Sequence, residues 1–341
     1  MSFRDIFATP LGSVGMFLLL ALFWGSSFVA IEVGLHEFPP LYFAGVRYLL
    51  AGGLFVGIAV LSTDRLVPKT RTDVGAIVVV ATFLIFANNA FLYLGEKIVS
   101  GAIASIVLSL APVLTVVFAS LALERGLPRV HEVLGFILGM AGVVVVAQPD
   151  PGSFDLNHMV GVGLVLLAAA SFAAGGVLSR RVRSGMPIQS IQAWGMLSGA
   201  ALLFTGALLR GESMVGVEVS TTGFLSLGYL VVFSGVLAYL IYFTLLDRVG
   251  PSQLNLVGYL EPVTAAIVAW ILLGNPITST MVLGFVLIAA GFTAIRRDLV
   301  VRILDAPYGK ALEILGEIGD AIEKRRSIPV KADARSSTRR R

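Results

Sequence analysis

Residues 250–273 read GPSQLNLVGYLEPVTAAIVAWILL, an apolar segment with a Glu-Pro pair near its middle. A helix rises about 1.5 Å per residue and the hydrocarbon core of a bilayer is about 30 Å thick, so a helix of this length crosses the membrane. Glu261 would then lie near half depth, where a charge costs about 2.5 kcal/mol or more unless it is paired or neutralised. Pro262 lacks a backbone donor and is expected to loosen the turn before it. The segment therefore predicts a transmembrane helix with a buried acid.

An earlier segment of the chain repeats this one. Residues 100–122 read SGAIASIVLSLAPVLTVVFASLA, and Pro112 precedes Pro262 by 150 positions. Beyond one deleted residue the match continues, because VLGF occurs at 133–136 and again at 282–285. The chain is therefore predicted to consist of two copies of one unit.

Composition places the chain among membrane proteins. Its 341 residues are 57% hydrophobic and 13% charged, whereas about a quarter of the residues of soluble proteins are charged. Apolar runs of spanning length number ten, at approximately 13–33, 40–61, 73–93, 100–122, 130–147, 159–180, 188–209, 222–246, 250–273 and 279–296. Five helices per copy is an odd number, so the second copy enters the membrane from the opposite side. The predicted fold class is an all-α membrane protein with ten transmembrane helices in two inverted five-helix repeats.

These runs divide the chain into four parts. We expect a first repeat at 14–147, an extracytoplasmic linker at 148–158, a second repeat at 159–297 and a cytoplasmic tail at 298–341. Short loops on the N-terminal side hold ten Lys and Arg residues and those on the other side hold two, which predicts a multi-pass protein of the cell membrane with both termini cytoplasmic. The tail is amphipathic and basic, and it either rests on anionic lipid headgroups, binds a partner or is simply solvated.

Both copies place polar residues on one face of a predicted helix. Ser105 and Ser109 share a face of the fourth helix, and Asn255 and Tyr259 occupy the equivalent face of the ninth. Polar atoms that face lipid would be unsatisfied, so this face is expected to look inward. It either lines a substrate cavity or holds neighbouring helices together. The other candidate substrate-binding residues are Trp24, Ser27, Asn89, Tyr93 and Tyr239.

Glu261 points away from this face, because it lies about 200° around the helix from Tyr259. Two roles fit its position. It is either an acid that couples transport to protons or substrate, or a structural acid beside the irregular backbone at Pro262.

Two positions in the first two helices are also unusual. Gly25, Ser26 and Ser27 interrupt the apolar pattern of the first helix, where either a ligand approaches the backbone or another helix packs closely. Arg47 in the second helix is expected to pair with Glu32 or to extend toward the outer surface, and substrate contact is the alternative.

Several stretches together carry a resemblance to a known family. They are WGSSFVAI at 24–31, FAGVRYLLAG at 43–52, YLGEKIVSGAIASIVLSLAPV at 93–113, LALERG at 121–126 and YLEPVTAAIVAWILLG at 259–274. In order and in duplicate, they resemble EamA-type members of the drug/metabolite transporter superfamily over roughly residues 14–296. The resemblance implies ten helices, cytoplasmic ends and a central cavity walled largely by helices 1, 3, 4, 6, 8 and 9. The acid that such proteins often carry after the fourth and ninth helices is Glu124 in the first copy, but Asn275 replaces it in the second.

Motifs for other chemistry are absent from the sequence. It contains no GxxxxGK[ST] loop, no HExxH, no GxSxG and no cysteine. We therefore expect no cofactor, no metal, no nucleic acid partner and no enzymatic activity. The hypothesis is a secondary active transporter, monomeric or homodimeric, that moves a small metabolite by alternating access. Export of an amino acid or similar amphipathic solute is the family-level expectation, with or without proton coupling. The alternatives are a polytopic enzyme that acts on lipid with Glu261 as its base, and a scaffold or signalling protein that works through its tail.

Overall fold

The computed structural model describes residues 10–122, 130–147, 155–182, 184–249, 254 and 257–295. These residues form helices joined by short loops, and no β-strand occurs among them. The helices, numbered in chain order, are α1 Pro10–Leu35, α2 Pro40–Ser62, α3 Arg71–Glu96, α4 Gly101–Leu108 continued by Ala111–Ala122, α5 Val130–Ala147, α6 Leu156–Arg181, α7 Ile188–Leu209, α8 Thr221–Tyr229 continued by Leu230–Leu237 and Ala238–Val249, α9 Val257–Leu273 and α10 Ser279–Ile295. The C-terminal tail and Glu124 lie outside the described residues.

Within the described part of the chain, seven helices are long and apolar enough to cross a membrane. The helices α5, α9 and α10 are apolar but shorter in their described parts. Many large apolar side chains on the outside of the bundle are exposed, among them Leu61, Leu225 and Leu272. A soluble protein would not expose so much apolar surface, whereas lipid tails cover it at no cost. The chain is therefore a multi-pass membrane protein, and the count of ten spans stays a prediction.

Helix α1 runs without a break from Pro10 to Leu35, so Gly25, Ser26 and Ser27 interrupt its apolar pattern but not the helix itself. Gly25 instead lets α1 approach α9 closely. A Cβ atom at this position would collide with the Thr264 side chain and with the carbonyl oxygen of Glu261. The small residues of α1 thus serve helix packing at this point.

The two copies share an irregular backbone feature. Residues Val80–Ala87 of α3 and Leu230–Leu237 of α8 both form π-helical turns, 150 positions apart. This is the same offset that relates Pro112 to Pro262. A π-helical stretch widens the helix and is uncommon, so its recurrence at one repeat position is a structural sign of the duplication.

The fourth and ninth helices depart from this symmetry. The α4 helix breaks at Ser109, where a turn precedes Pro112. The α9 helix continues through Pro262, so the expected loosening does not interrupt it. The Thr264 hydroxyl lies within 3.2 Å of the carbonyl oxygens of Leu260 and Glu261, and it therefore supports the backbone beside the proline.

Helices at equivalent positions in the two copies run antiparallel where they meet. On α2 and α7, Gly45 lies against Phe204 and Gly52 lies against Leu197, so one helix ascends as the other descends. The same holds for α5 and α10, whose glycines at 142 and 284 face each other while those at 135 and 291 do so further along.

The remaining contacts repeat in pairs. Helix α1 packs against α9, and its equivalent α6 packs against α4. Helix α3 packs against α6, and α8 correspondingly packs against α1. A two-fold relation between the copies produces such pairs, and antiparallel counterparts are what an inverted repeat requires. The contacts bring helices of both copies together along one seam.

Candidate functional site

A buried guanidinium occupies the seam between the two copies. Arg47 on α2 is 6% exposed. Its Nη1 donates to the Tyr93 hydroxyl at 2.9 Å, and its Nη2 donates to the Ser234 hydroxyl at 2.9 Å. The guanidinium carbon also lies 5.0 Å from the centre of the Tyr48 ring, a cation–π distance. Since Tyr93 belongs to the first copy and Ser234 to the second, Arg47 bridges the copies.

The expectation that Arg47 pairs with Glu32 or extends outward is wrong. Among the described residues the ion pairs are Arg65–Asp73 and Arg210–Glu212, so no described carboxylate neutralises Arg47. Its Nε also has no hydrogen-bond partner there. The guanidinium points into the bundle instead, toward the hydroxyls of α3 and α8 that it binds. A charge buried without a counter-charge is costly, and two hydroxyls and a ring offset only part of that cost.

Asn89 links this cluster to the irregular turn of α3. Its Oδ1 accepts a hydrogen bond from the Tyr48 hydroxyl at 3.0 Å. Its Nδ2 donates to the carbonyl oxygens of Ile85 at 2.8 Å and Leu84 at 3.3 Å. A π-helical turn leaves carbonyls without their usual partners, so the Asn89 amide satisfies the backbone and fixes Tyr48 beside Arg47.

An aromatic cluster from α1, α2 and α8 lies next to this polar group. The Trp24 ring centre is 5.6 Å from that of Tyr239 and 5.4 Å from that of Tyr242. Tyr239 also meets Phe55 edge-on at 6.0 Å. Edge-to-face contacts of this kind stabilise a fixed arrangement of rings. The Ser27 hydroxyl donates to the Trp24 carbonyl and so belongs to the same neighbourhood.

The structure thus gathers Trp24, Ser27, Asn89, Tyr93 and Tyr239 around one region of the seam. Their part in binding a substrate stays a prediction.

Ser105 and Ser109 are 1% and 3% exposed. Their hydroxyls donate to carbonyl oxygens of their own helix, those of Ala102 at 2.7 Å and Ile106 at 2.6 Å. Serines that bond back to the backbone in this way fit both earlier interpretations, cavity lining and helix contact. Their role as substrate ligands stays a prediction.

The predicted residues of the ninth helix are dispersed. The Tyr259 ring packs against Phe292 of α10 with centres 4.6 Å apart. Glu261 is half-buried, and no described group donates a hydrogen bond to its carboxylate. Asn255 lies outside the described residues. The roles of all three as site residues stay predictions.

A cavity of about 490 Å³ lies at the end of the bundle where α1 ends and α4 begins, and we call it the α1–α4 cavity. Two carboxylates line it. The two carboxylate oxygens of Glu32 accept hydrogen bonds, one from the Gly101 backbone N–H at 2.7 Å and the other from Asn275 Nδ2 at 3.2 Å. Glu96 is 4% exposed, and neither of its oxygens has a hydrogen-bond partner among the described residues. The Asn275 amide thus helps to hold the Glu32 carboxylate in place.

The family model described as EamA-like transporter family matches this chain twice, over residues 11–148 and 159–297. The chain belongs to the EamA-like transporter family. The match confirms the resemblance seen in the sequence, and the two matched segments agree with the antiparallel counterparts in the fold.

Relatives of this EamA-like protein are named as transporters. It is 29% identical over 255 residues to the "Uncharacterized inner membrane transporter YedA" of Escherichia coli (strain K12), a match that covers 74% of this chain and 80% of that protein. It is 30% identical over 286 residues to the "Probable amino-acid metabolite efflux pump" of Salmonella typhimurium, a match that covers 80% of this chain and 91% of that protein. A crystal structure at 20% identity superposes with a TM-score of 0.60 over 87% of this chain and all of that one, which supports the fold alone.

Sequence reasoning missed two polar residues of this EamA-like protein, Ser234 and Glu96. Arg47 was visible as a cation inside an apolar run, but its partner Ser234 lies in the other copy, 187 positions away. Glu96 precedes Lys97 at the end of a span and reads as an ordinary interfacial charge. The Lys97 ammonium instead donates to the Leu35 carbonyl at the end of α1, so it forms no ion pair with Glu96.

Proposed function

We propose that this EamA-like protein is a secondary active transporter that exports a small zwitterionic metabolite, such as an amino acid, by alternating access. It would cross the cell membrane ten times with both termini in the cytoplasm, so that the α1–α4 cavity faces the extracytoplasmic side. The observation that carries the proposal is the buried guanidinium of Arg47, which joins the copies and has no described counter-charge.

A carboxylate on the solute supplies the missing counter-charge. Guanidinium groups bind carboxylates through charge-assisted hydrogen bonds, and the N–H of Arg47 Nε has no described acceptor. The neighbouring Trp24 and Tyr239 rings offer an apolar wall for a side chain. The solute expected at such a site combines an acidic group with a modest apolar part.

The position of Arg47 also suggests how binding is coupled to movement. Its two hydroxyl partners lie on different copies, so a rocking motion of one copy against the other changes these hydrogen bonds. A ligand shifts a conformational equilibrium only by the difference in its affinity for the two states. A solute that binds Arg47 in exchange for one of these hydroxyls would have such a difference.

The names of the relatives support export. Two of them, from Salmonella typhimurium and Escherichia coli, are named probable amino-acid metabolite efflux pumps. Proton coupling is part of the proposal, with Glu261 as the acid indicated by the sequence.

The test is transport by the purified full-length chain in proteoliposomes that are loaded with a mixture of isotope-labelled L-amino acids. We expect release of at least one of them by the wild type. The variant R47K should slow this release about tenfold or more, since lysine cannot keep both hydroxyl bonds and a hydrogen bond to a charged group is worth roughly 1.5–3 kcal/mol. R71Q is the control, because Arg71 is exposed at the start of α3 and takes part in neither described ion pair. Release of no amino acid by the wild type, or full activity of R47K, would contradict the proposal.

A further inference from the structure

The α1–α4 cavity contains an acid that nothing in the described structure satisfies. Glu96 lines the cavity, is 4% exposed and has no hydrogen-bond partner for either carboxylate oxygen among the described residues. Buried polar groups are nearly always hydrogen-bonded, and a buried carboxylate without donors is costly. Such a group is expected to meet a donor from outside the chain.

Glu32 and Lys97, which also line this cavity, already have hydrogen-bond partners. Glu32 accepts one hydrogen bond on each oxygen, from Gly101 and from Asn275. The Lys97 ammonium donates to the Leu35 carbonyl and so fixes the end of α1. Two carboxylates therefore line the cavity. That of Glu32 is held in place by two hydrogen bonds, and within the described structure that of Glu96 has both oxygens free to accept hydrogen bonds.

Arg47 lies beyond Glu96 on the way into the bundle. Glu96 follows Tyr93 by three residues, so both side chains project from one face of α3 about one turn apart. The Tyr93 hydroxyl accepts a hydrogen bond from the Arg47 guanidinium. Through Tyr93, Arg47 therefore meets the face of α3 that also carries Glu96, yet no ion pair joins the two among the described residues. On the way from the cavity to the seam, the Glu96 carboxylate therefore comes first and the Arg47 guanidinium second, and no described ion pair between them neutralises either charge.

We propose that Glu96 binds the ammonium group of the transported solute in the α1–α4 cavity, with Glu32 as the second carboxylate of the site. An ammonium group has three N–H donors and no acceptor, which suits two carboxylates that present acceptors only. The proposal rests on the proposed function, because it takes the solute to be the zwitterion whose carboxylate Arg47 meets. It adds that the solute must carry a free amino group.

The first test uses wild-type proteoliposomes and the uptake of a mixture of labelled L-amino acids. Unlabelled L-amino acids in excess should reduce uptake of the label at least about tenfold. Their N-acetyl derivatives, which lack the ammonium group, should leave uptake unchanged at the same concentration. Equal inhibition by the N-acetyl derivatives would overturn the proposal, and this result does not depend on any variant being stable.

The second test compares E96Q with the control E218Q. Glutamine keeps the size of Glu96 but has no charge and brings its own N–H donors, so uptake should fall at least about tenfold. Glu218 is an exposed acid of the α7–α8 loop, and its variant should behave as the wild type. Uptake by E96Q at the wild-type rate, with only the pH response lost, would show a proton site and overturn the ammonium proposal.

These outcomes separate the two proposals. If the wild type takes up amino acids but N-acetyl derivatives compete or E96Q is fully active, only the ammonium site is wrong. If the wild type neither releases nor takes up any amino acid, the proposed function fails and the ammonium site fails with it.

Discussion

The contact between α1 and α9 yields a prediction whose size follows from the structure. A Cβ atom at Gly25 would lie 2.6 Å from the Glu261 carbonyl oxygen and 2.9 Å from Thr264 Cβ. Ordinary contacts between such atoms are about 3.5 Å or longer, so the substitution G25A forces the helices apart by roughly 1 Å. Overpacking of this kind costs about 1–3 kcal/mol. Because α1 belongs to the first copy and α9 to the second, the strain falls on the seam.

The control for this prediction is the same substitution on the same helix. Nothing lies within 4 Å of a Cβ atom at Gly15, so G15A meets no steric obstacle. Alanine is favoured over glycine in a helix by about 0.5–1 kcal/mol, so G15A should be neutral or slightly stabilising. Because both variants gain this helical preference, we expect their free energies of unfolding to differ by the overpacking cost alone, about 1–3 kcal/mol.

Thermal unfolding of the full chain in detergent measures this difference. The midpoint of G25A should fall several degrees below the wild type, while that of G15A should equal or exceed it, and G25A should also transport more slowly. Equal midpoints for G25A and the wild type would refute the close packing of α1 on α9.

Three further predictions concern pH, coupling and the tail. Hydrogen bonds from the side chain and backbone of Ser220 hold the pKa of Glu37 below its usual value, so the stabilisation they give is complete above that value and is lost as the pH falls through the lowered pKa. The wild type should therefore have a higher thermal midpoint than E37Q near neutral pH, and this difference should disappear in strong acid. A difference that stays the same at every pH would refute the stabilising role of the Glu37 carboxylate. If Glu261 couples transport to protons, E261Q should flatten the pH profile of transport, and an unaltered profile would leave it a structural acid. Deletion of residues 300–341 should leave proteoliposome transport intact, whereas its loss would favour a role for the tail.

The duplication could be recognised from the sequence because both copies retain the same letters at a fixed offset. Pro112 and Pro262 gave the offset, and the π-helical turns Val80–Ala87 and Leu230–Leu237 repeat it in the backbone. The turns themselves could not be foreseen, since their sequences are as apolar and as helix-compatible as the residues around them. Their presence depends on tertiary partners such as the Asn89 amide.

The polar centre was harder to predict than the helices. A pattern of apolar residues tells which segments are helical but not which helices meet, so Arg47 could not be assigned to a hydroxyl of α8. Glu96 was overlooked for the same reason, because only the fold shows that Lys97 is engaged elsewhere. The choice of Glu261 rested on its depth in the membrane and on Pro262 beside it, and neither of these shows which acid lines a cavity.

The measurement that tests the central claim most directly is the accessibility of the seam from each side of the membrane. The chain contains no cysteine, so S234C would provide its only thiol. Ser234 is fully buried beside Arg47. Alternating access predicts that a membrane-impermeant thiol reagent labels S234C from the cytoplasmic side and, in a separate reaction, from the extracytoplasmic side, and that added amino acids change the ratio of the two rates. The control S213C, in the α7–α8 loop, should react from the extracytoplasmic side alone. Labelling of S234C from one side only, or from neither, under every condition would contradict the account.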